Sequence, residues 1–269
     1  MTYESREESL QNGEPIELYQ FTYGENAYRF TSATTEKLMS GHTWLAEPLK
    51  RDSIDFSAEK GRNNLKIETT RQFAIADLYR IMPPSDVILL TVYRFHYGDS
   101  EAVVIWSGRL LNVEFAGSRA TLVCQPITTS LKRTGLRRLY QRQCPHVLYG
   151  DSCRADKNSF SLTTNLSAVN GTTLNSAAFG LYPDNYFAGG YIDFDYNGVI
   201  ERRFITEHTS TQIIINIPLL GLIVGSSIIA YAGCNHTMAA CKDKFNNLNN
   251  YGGMPYIPQK NPFGGNGIY

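Results

Sequence analysis

The sequence predicts a mainly β protein built from two barrel- or sandwich-like domains joined by a short helix. Four observations carry that expectation. Short runs rich in Tyr, Phe, Val, Ile and Thr are punctuated by Gly, Asn and Pro. Aromatic content is 12%, with 17 Tyr, a bias that suits pleated, half-buried surfaces better than long helices. A basic, Leu-spaced stretch then interrupts the strands near the middle of the chain. Finally, 269 residues, 42% of them hydrophobic, suffice for one large or two ordinary cores. The expected domains are residues 1–127 and 128–269.

In the first half, PIELYQFTYG and NAYRFTS read as strands separated by a turn at Gly24-Glu25-Asn26. SIDFS, NLKIETT and DVILLTVYRFHYG follow, the last bounded by Pro83-Pro84 and Gly98-Asp99. A short helix is expected around residues 72–80. AVVIWSGRLLNVEF and SRATLVCQP meet at Ala116-Gly117-Ser118, a hairpin signal, and Ile105, Ser107 and Arg109 alternate with Trp106, Gly108 and Leu110. In residues 128–143 (TTSLKRTGLRRLYQRQ), Leu131, Leu136, Leu139 and Tyr140 form an apolar stripe among five basic residues. A linking helix is expected there, weakened by Gly135. Such a basic run reads as a solvated helix face more readily than as a phosphate-binding surface.

The second half repeats the β pattern. GGYIDFDYNGVIERRFITEH is strand, Asn197-Gly198 turn, strand, and TQIIINI and SSIIAYAG add further strands. Residues 213–232 carry no charge over roughly the length of a spanning helix. Pro218, Gly221, Gly225 and the β-branched residues favour two buried strands split by a turn, so no stable membrane insertion is expected. The Asn-, Gly-, Pro- and Tyr-rich end resists regular structure and is expected to run extended over its own domain or a neighbour. The amino-terminal residues are polar, with no apolar segment after a basic one, so no secretory signal is expected.

Basic and acidic residues balance at 25 each, which argues against a strong field for nucleic acid. No phosphate loop, nucleophile elbow or H-E-x-x-H pattern is present, and Asp193 and Asp195, sharing one strand face, read as solvated. No small-molecule substrate, specific nucleic acid or catalytic residue is therefore expected. The chemistry-bearing residues are cysteines. Without a secretory signal, a disulfide framework is not expected. Cys124 lies in an apolar strand and reads as a buried, inert thiol.

Cys144 and Cys153 (C-x8-C) and Cys234 and Cys241 (C-x6-C) form two pairs far apart in sequence. Their spacing is wider than the knuckles of most structural zinc sites, and an iron–sulfur cube tolerates wider loops. A zinc site, an iron–sulfur site and four unconnected thiols all remain open on spacing alone. Pro145 fixes the turn after Cys144, Gly150 and Gly233 would let amides approach sulfur, and Arg142 or Arg154 would offset negative charge. His146 and His236 follow cysteines by two residues, and read as surface or supporting side chains before ligands.

CPHVLYGDSC, and GC-x6-C followed by KFNNLNNYGGMPYIP, closely resemble the tail-tip (baseplate) hub proteins of long-tailed bacteriophages and gene-transfer agents. The minor tail protein L of lambda-like phages is similar in its cysteine pattern. ELYQFTYGENAYRFTS and LTVYRFHYGDSEAVVIWSGRLLNVEFAGSRATLVCQP resemble the amino-terminal domain of the gene-transfer-agent type, so the resemblance spans nearly the whole chain. It implies β-barrel hub domains in a homotrimeric, non-enzymatic ring at the distal tail tip of a virion, assembled in the host cytoplasm. The implied partners are a distal tail protein or tail-tube ring and a central tip or fibre protein, with the tape measure protein a further candidate. The resemblance also implies a [4Fe-4S] cluster held by Cys144, Cys153, Cys234 and Cys241; the alternatives are the same architectural protein holding Zn2+ there, or a cluster-containing nucleic-acid or redox enzyme, against which the neutral charge and the missing nucleotide motifs speak. A long β insertion between the two pairs departs from the lambda-like members.

Overall fold

The computed structural model describes residues 3–9, 13–54, 64–80, 82–98, 101–132, 135 and 139–258. The chain divides into two compact units, Met1–Arg133 and Thr134–Tyr269.

The first unit starts with α1 (Tyr3–Glu7), β1 (Pro15–Tyr23), β2 (Asn26–Thr31), β3 (Lys37–Met39), β4 (His42–Ala46) and β5 (Lys50–Arg51). It continues through β6 (Leu65–Thr70), α2 (Ala74–Leu78), β7 (Leu89–His96), β8 (Val103–Ala116) and β9 (Arg119–Pro126). Its nine strands form one sheet in the order β3-β4-β2-β1-β7-β8-β9-β6-β5. Neighbouring strands pair antiparallel except β2 and β4, which run parallel. Trp106, Gly108 and Leu110 face inward while Ile105, Ser107 and Arg109 stay partly exposed, as their alternation predicts. At Gly108 an added Cβ would lie 2.2 Å from the Gln125 carbonyl oxygen, so only glycine lets β8 cross β9 this closely.

Central β1 is buried on both faces. Phe21 and Phe30 meet Phe73, from the loop before α2, with ring centroids 4.7–6.1 Å apart. Leu18 packs instead with Met39, Trp44 and Phe95. Cys124 is fully buried on β9, and burial, followed by the Asp52 charge, pushes its thiol far above the ordinary range. It is the inert core thiol expected.

The second unit contains β10 (Ser161–Asn165), β11 (Ala168–Asn170), β12 (Thr173–Asn175), β13 (Tyr191–Tyr196), β14 (Val199–Thr209), β15 (Gln212–Ile215) and β16 (Ser227–Tyr231). The sheet order is β10-β16-β13-β14-β15-β12-β11. Its two edges, β10 and β11, are halves of one bent segment separated only by Leu166 and Ser167. That segment closes the sheet into a barrel. The Leu166 amide donates to the Ser226 carbonyl (3.0 Å), the Ser167 amide donates to the Asn175 carbonyl (2.9 Å), and the Thr164 and Ser176 hydroxyls bond at 2.7 Å. Closure removes the sticky edges an open sheet would present. Phe179, Phe187, Ile192, Ile205, Ile213 and Ile228 belong to the shared core.

Asn197 and Gly198 take positive φ (54° and 80°) in the β13–β14 turn, as a two-residue hairpin requires. Residues 213–232 resolve into β15, an apolar loop and β16. No described helix is long and apolar enough to cross a membrane.

Three readings need correction. The linking helix shrinks to a 3-10 segment, Ile127–Lys132, and residues 139–143 are irregular. Residues 133–134 and 136–138 lie outside the described set, with most of the basic run. In SIDFS, Ser53 and Ile54 are not strand, and the rest lies outside the described residues. Asp193 is not solvated: it is 8% exposed and accepts both Nε (2.7 Å) and Nη2 (2.8 Å) of Arg202. Only Asp195 is turn-capping, accepting from the Gly198 amide at 2.8 Å.

Candidate metal centre

Two segments outside the barrel carry the cysteine pairs. The first, residues 144–153, is pinned by Tyr149, whose hydroxyl donates to the Ala232 carbonyl at 2.7 Å. The Tyr149 ring packs against Tyr191, Tyr231 and Phe245. The second follows β16. Gly233 starts it where an added Cβ would fall 1.8 Å from the Ala188 carbonyl oxygen, so the backbone itself is the packing surface. Cys234 comes next, and Cys241 lies in a single π turn, Ala240–Lys244, in which the Phe245 amide reaches the Ala240 carbonyl at 3.3 Å. Such turns recur at functional sites.

These segments bring all four predicted cysteines together. Cys144, Cys153, Cys234 and Cys241 line one small cavity with His146, His236, Asn247 and Asn250. Burial raises the Cys234 thiol, and the neighbouring Cys153 and Cys144 add to that rise. Cys241 is raised by burial and then by Cys144, Cys234 and Cys153. Among the described residues, no group of three or more His, Cys, Asp or Glu is arranged to hold a single metal ion.

Donors point at the sulfurs. The His236 amide reaches Cys234 Sγ at 3.3 Å, the Gly252 amide reaches Cys144 Sγ at 3.4 Å, and Asn247 Nδ2 lies 3.8 Å from Cys153 Sγ. His236 takes the left-handed conformation (φ 61°) that aims its amide at Cys234, and its carbonyl accepts from the Cys144 amide at 2.9 Å. The backbone of His236 thus ties the two pairs together. Tyr149, Arg154 and Asn246 also have positive φ, a concentration of backbone strain around this site. His146 Nδ1 bonds to the Asn250 carbonyl at 3.0 Å, which makes it a brace.

The sequence reading misplaced the supporting groups. The Gly150 and Gly233 amides bond to the Val147 and Tyr186 carbonyls, not to sulfur. Arg154 Nε donates to the Asp151 carbonyl. The cation beside the site is half-buried Lys244, whose ammonium donates to the Tyr186 and Gly233 carbonyls and lies over the Tyr186 ring (4.1 Å). Burial lowers its pKa to about 8, partly countered by Cys234. Asn247, Gly252 and Lys244 were also missed. The one sequence signal for them is the polar, turn-forming run KFNNLNNYGG directly after Cys241.

Comparisons with known proteins fit this architecture. Residues 17–156 match the family model described as "Baseplate hub protein, N-terminal attachment domain", and residues 185–261 match "Phage conserved hypothetical protein BR0599". A chain from the structure of the virion of a native gene transfer agent particle superposes with a TM-score of 0.82 at 18% identity, covering 100% of this chain and 99% of that one, so the fold is shared. An uncharacterized protein of Xylella fastidiosa (strain 9a5c) is 22% identical over 166 residues, 57% of this chain; the match spans 35% of that longer protein. With more than half of its residues matched by the first model, the chain belongs to the baseplate hub family defined by this N-terminal attachment domain, a component of the virion tail.

Proposed function

We propose that this chain is a non-enzymatic ring subunit of the tail tip, homotrimeric, joining the distal tail or tube ring to a central tip protein. In this reading its second unit is fastened by a [4Fe-4S] cluster on Cys144, Cys153, Cys234 and Cys241. The observation that carries it is the convergence of two sequence-distant cysteine pairs on one cavity, with amides aimed at three of the sulfurs. Donors of this kind stabilise sulfur that carries negative charge. Bound there, the cluster would supply covalent cross-links between residues 144–153 and 234–241. The chain's own residues do the rest. Tyr149 fixes one segment to the barrel, Gly233 and Lys244 fix the other, and His236 spaces the pairs.

Anaerobic purification with absorption, iron, sulfide and zinc analysis tests the reading. Absorbance at about 400 nm with about four iron and four sulfide per chain is expected. Cys234→Ser should lose it and yield defective tails. One zinc per chain would keep the architecture and change the metal, and neither metal would remove the site from the proposal. Native mass measurement tests the trimer.

A further inference from the structure

Asparagine before a short helical turn ordinarily caps it with its side chain. Asn247 precedes the 3-10 turn Leu248–Asn250 and makes no such bond. Its amide is turned away, towards the cysteines. One Nδ2 hydrogen goes to the Cys153 carbonyl (2.5 Å), and the same nitrogen lies 3.8 Å from Cys153 Sγ. The Asn247 backbone holds the other pair: its amide donates to the Cys241 carbonyl (2.9 Å), and its carbonyl accepts from the Cys241 thiol (3.2 Å). Asn250 Nδ2 fixes the side-chain orientation by donating to Asn247 Oδ1 at 2.6 Å, which leaves the Nδ2 hydrogens for Cys153. The carbonyl of Asn250 in turn holds His146, beside Cys144.

We infer that Asn247 is the positioning residue of the four-cysteine site, setting Cys153 against Cys241 and supplying the Cys153 sulfur with an amide N–H. A backbone spacer alone would serve with any residue at 247. A donor to sulfur needs the amide. An N–H at a ligating sulfur favours the more negative, reduced form of whatever the sulfurs bind. The inference rests on the cluster reading for its redox consequence and stands without it for the cysteine geometry.

The test uses the full chain purified anaerobically as wild type, Asn247→Asp and Asn247→Ser, the serine variant guarding against a folding defect from the added charge. Asn247→Asp is close in shape, keeps the acceptor for Asn250 and removes the donor. Both variants are expected to lose iron about tenfold or more readily in a chelator titration, and the remaining chromophore should reduce at a more negative midpoint potential. Unchanged retention and potential in both overturn the inference. Wild type devoid of iron and sulfide overturns the cluster reading instead. Residue-resolved alkylation of the metal-free chains then decides: Cys153 and Cys241 must label several times faster in the variants, and equal rates overturn the inference.

Discussion

The two units solve opposite polar problems. In the first, a half-buried carboxylate is satisfied from within. Glu17 accepts Arg51 Nε (2.8 Å) and Nη2 (2.5 Å), Arg94 Nη2 (2.9 Å) and the Tyr19 hydroxyl (2.8 Å). Arg94 continues to Glu7, which also meets His96. Burial alone would raise the Glu17 carboxyl, but the bonds from Arg51, Arg94 and Tyr19 outweigh it and hold it below the ordinary value. The second unit gathers four thiols; burial and then the neighbouring thiols raise Cys234 and Cys241, opposed at Cys234 by the His236 amide and Lys244. A self-satisfied network stabilises a scaffold. The second unit instead has N–H donors aimed at three of its four sulfurs, and that is the difference between the two units.

The largest expected effect breaks the second unit at its backbone. Gly233→Val would force a Cβ into the Ala188 carbonyl and the Gly190 amide, which are backbone atoms with no room to yield. A loss of at least about 3 kcal/mol is expected. Hydrogen exchange should show β13 and β16 losing protection. The β6–β9 amides serve as the internal comparison.

Next is the first unit's ionic network. Glu17→Gln leaves Arg51 without its carboxylate and Arg94 with Glu7 alone, at sites 15% and 24% exposed, for an expected cost of about 2–3 kcal/mol in chemical denaturation. Wild type should show the matching pH dependence. Because the folded Glu17 carboxyl is depressed, its contribution is complete above the unfolded carboxylate value of about 4.3. It is lost as pH falls from there through the folded value. Glu17→Gln should flatten that acid limb, and an unchanged limb would remove Glu17 as its source.

Much of this was legible because the signals were local. Alternation in AVVIWSGRLL, the Asn197-Gly198 turn and the Pro218/Gly221 break each follow from a few adjacent residues, and the structure has those elements. The strands β3, β4, β5, β10, β11 and β12 went unread. SLTTN has little apolar alternation, and its strand state comes from pairing with β16, more than 60 residues on. The cysteine convergence was readable as four thiols in two pairs. Its supports were not, because a 2.9 Å bond between the His236 carbonyl and the Cys144 amide spans 92 positions and leaves no pattern in either segment. Lys244 heads the KFNNLNNYGG run, but nothing in that run separates it from an exposed lysine, because its partial burial is a property of the folded barrel.

The smallest expected effect sharpens the comparison most directly, since it sets the same ion-pair chemistry in two surroundings. Arg202 grips Asp193 through two nitrogens, as Arg51 grips Glu17, and also lies over the Tyr191 ring at 4.2 Å. The geometry is as good. The setting differs: the Arg202 side chain is 49% exposed, against 15% for Arg51. Water screens the outer pair, so Arg202→Lys, which loses the planar fork and weakens the ring contact, should cost only about 0.5–1 kcal/mol. A double-mutant cycle with Asp193→Asn measures the coupling. The corresponding cycle of Arg51→Lys with Glu17→Gln should return a clearly larger value. Equal couplings would mean that burial does not separate the two units electrostatically, and the contrast between a self-satisfied scaffold and a thiol-bearing unit would then rest on the cysteines alone.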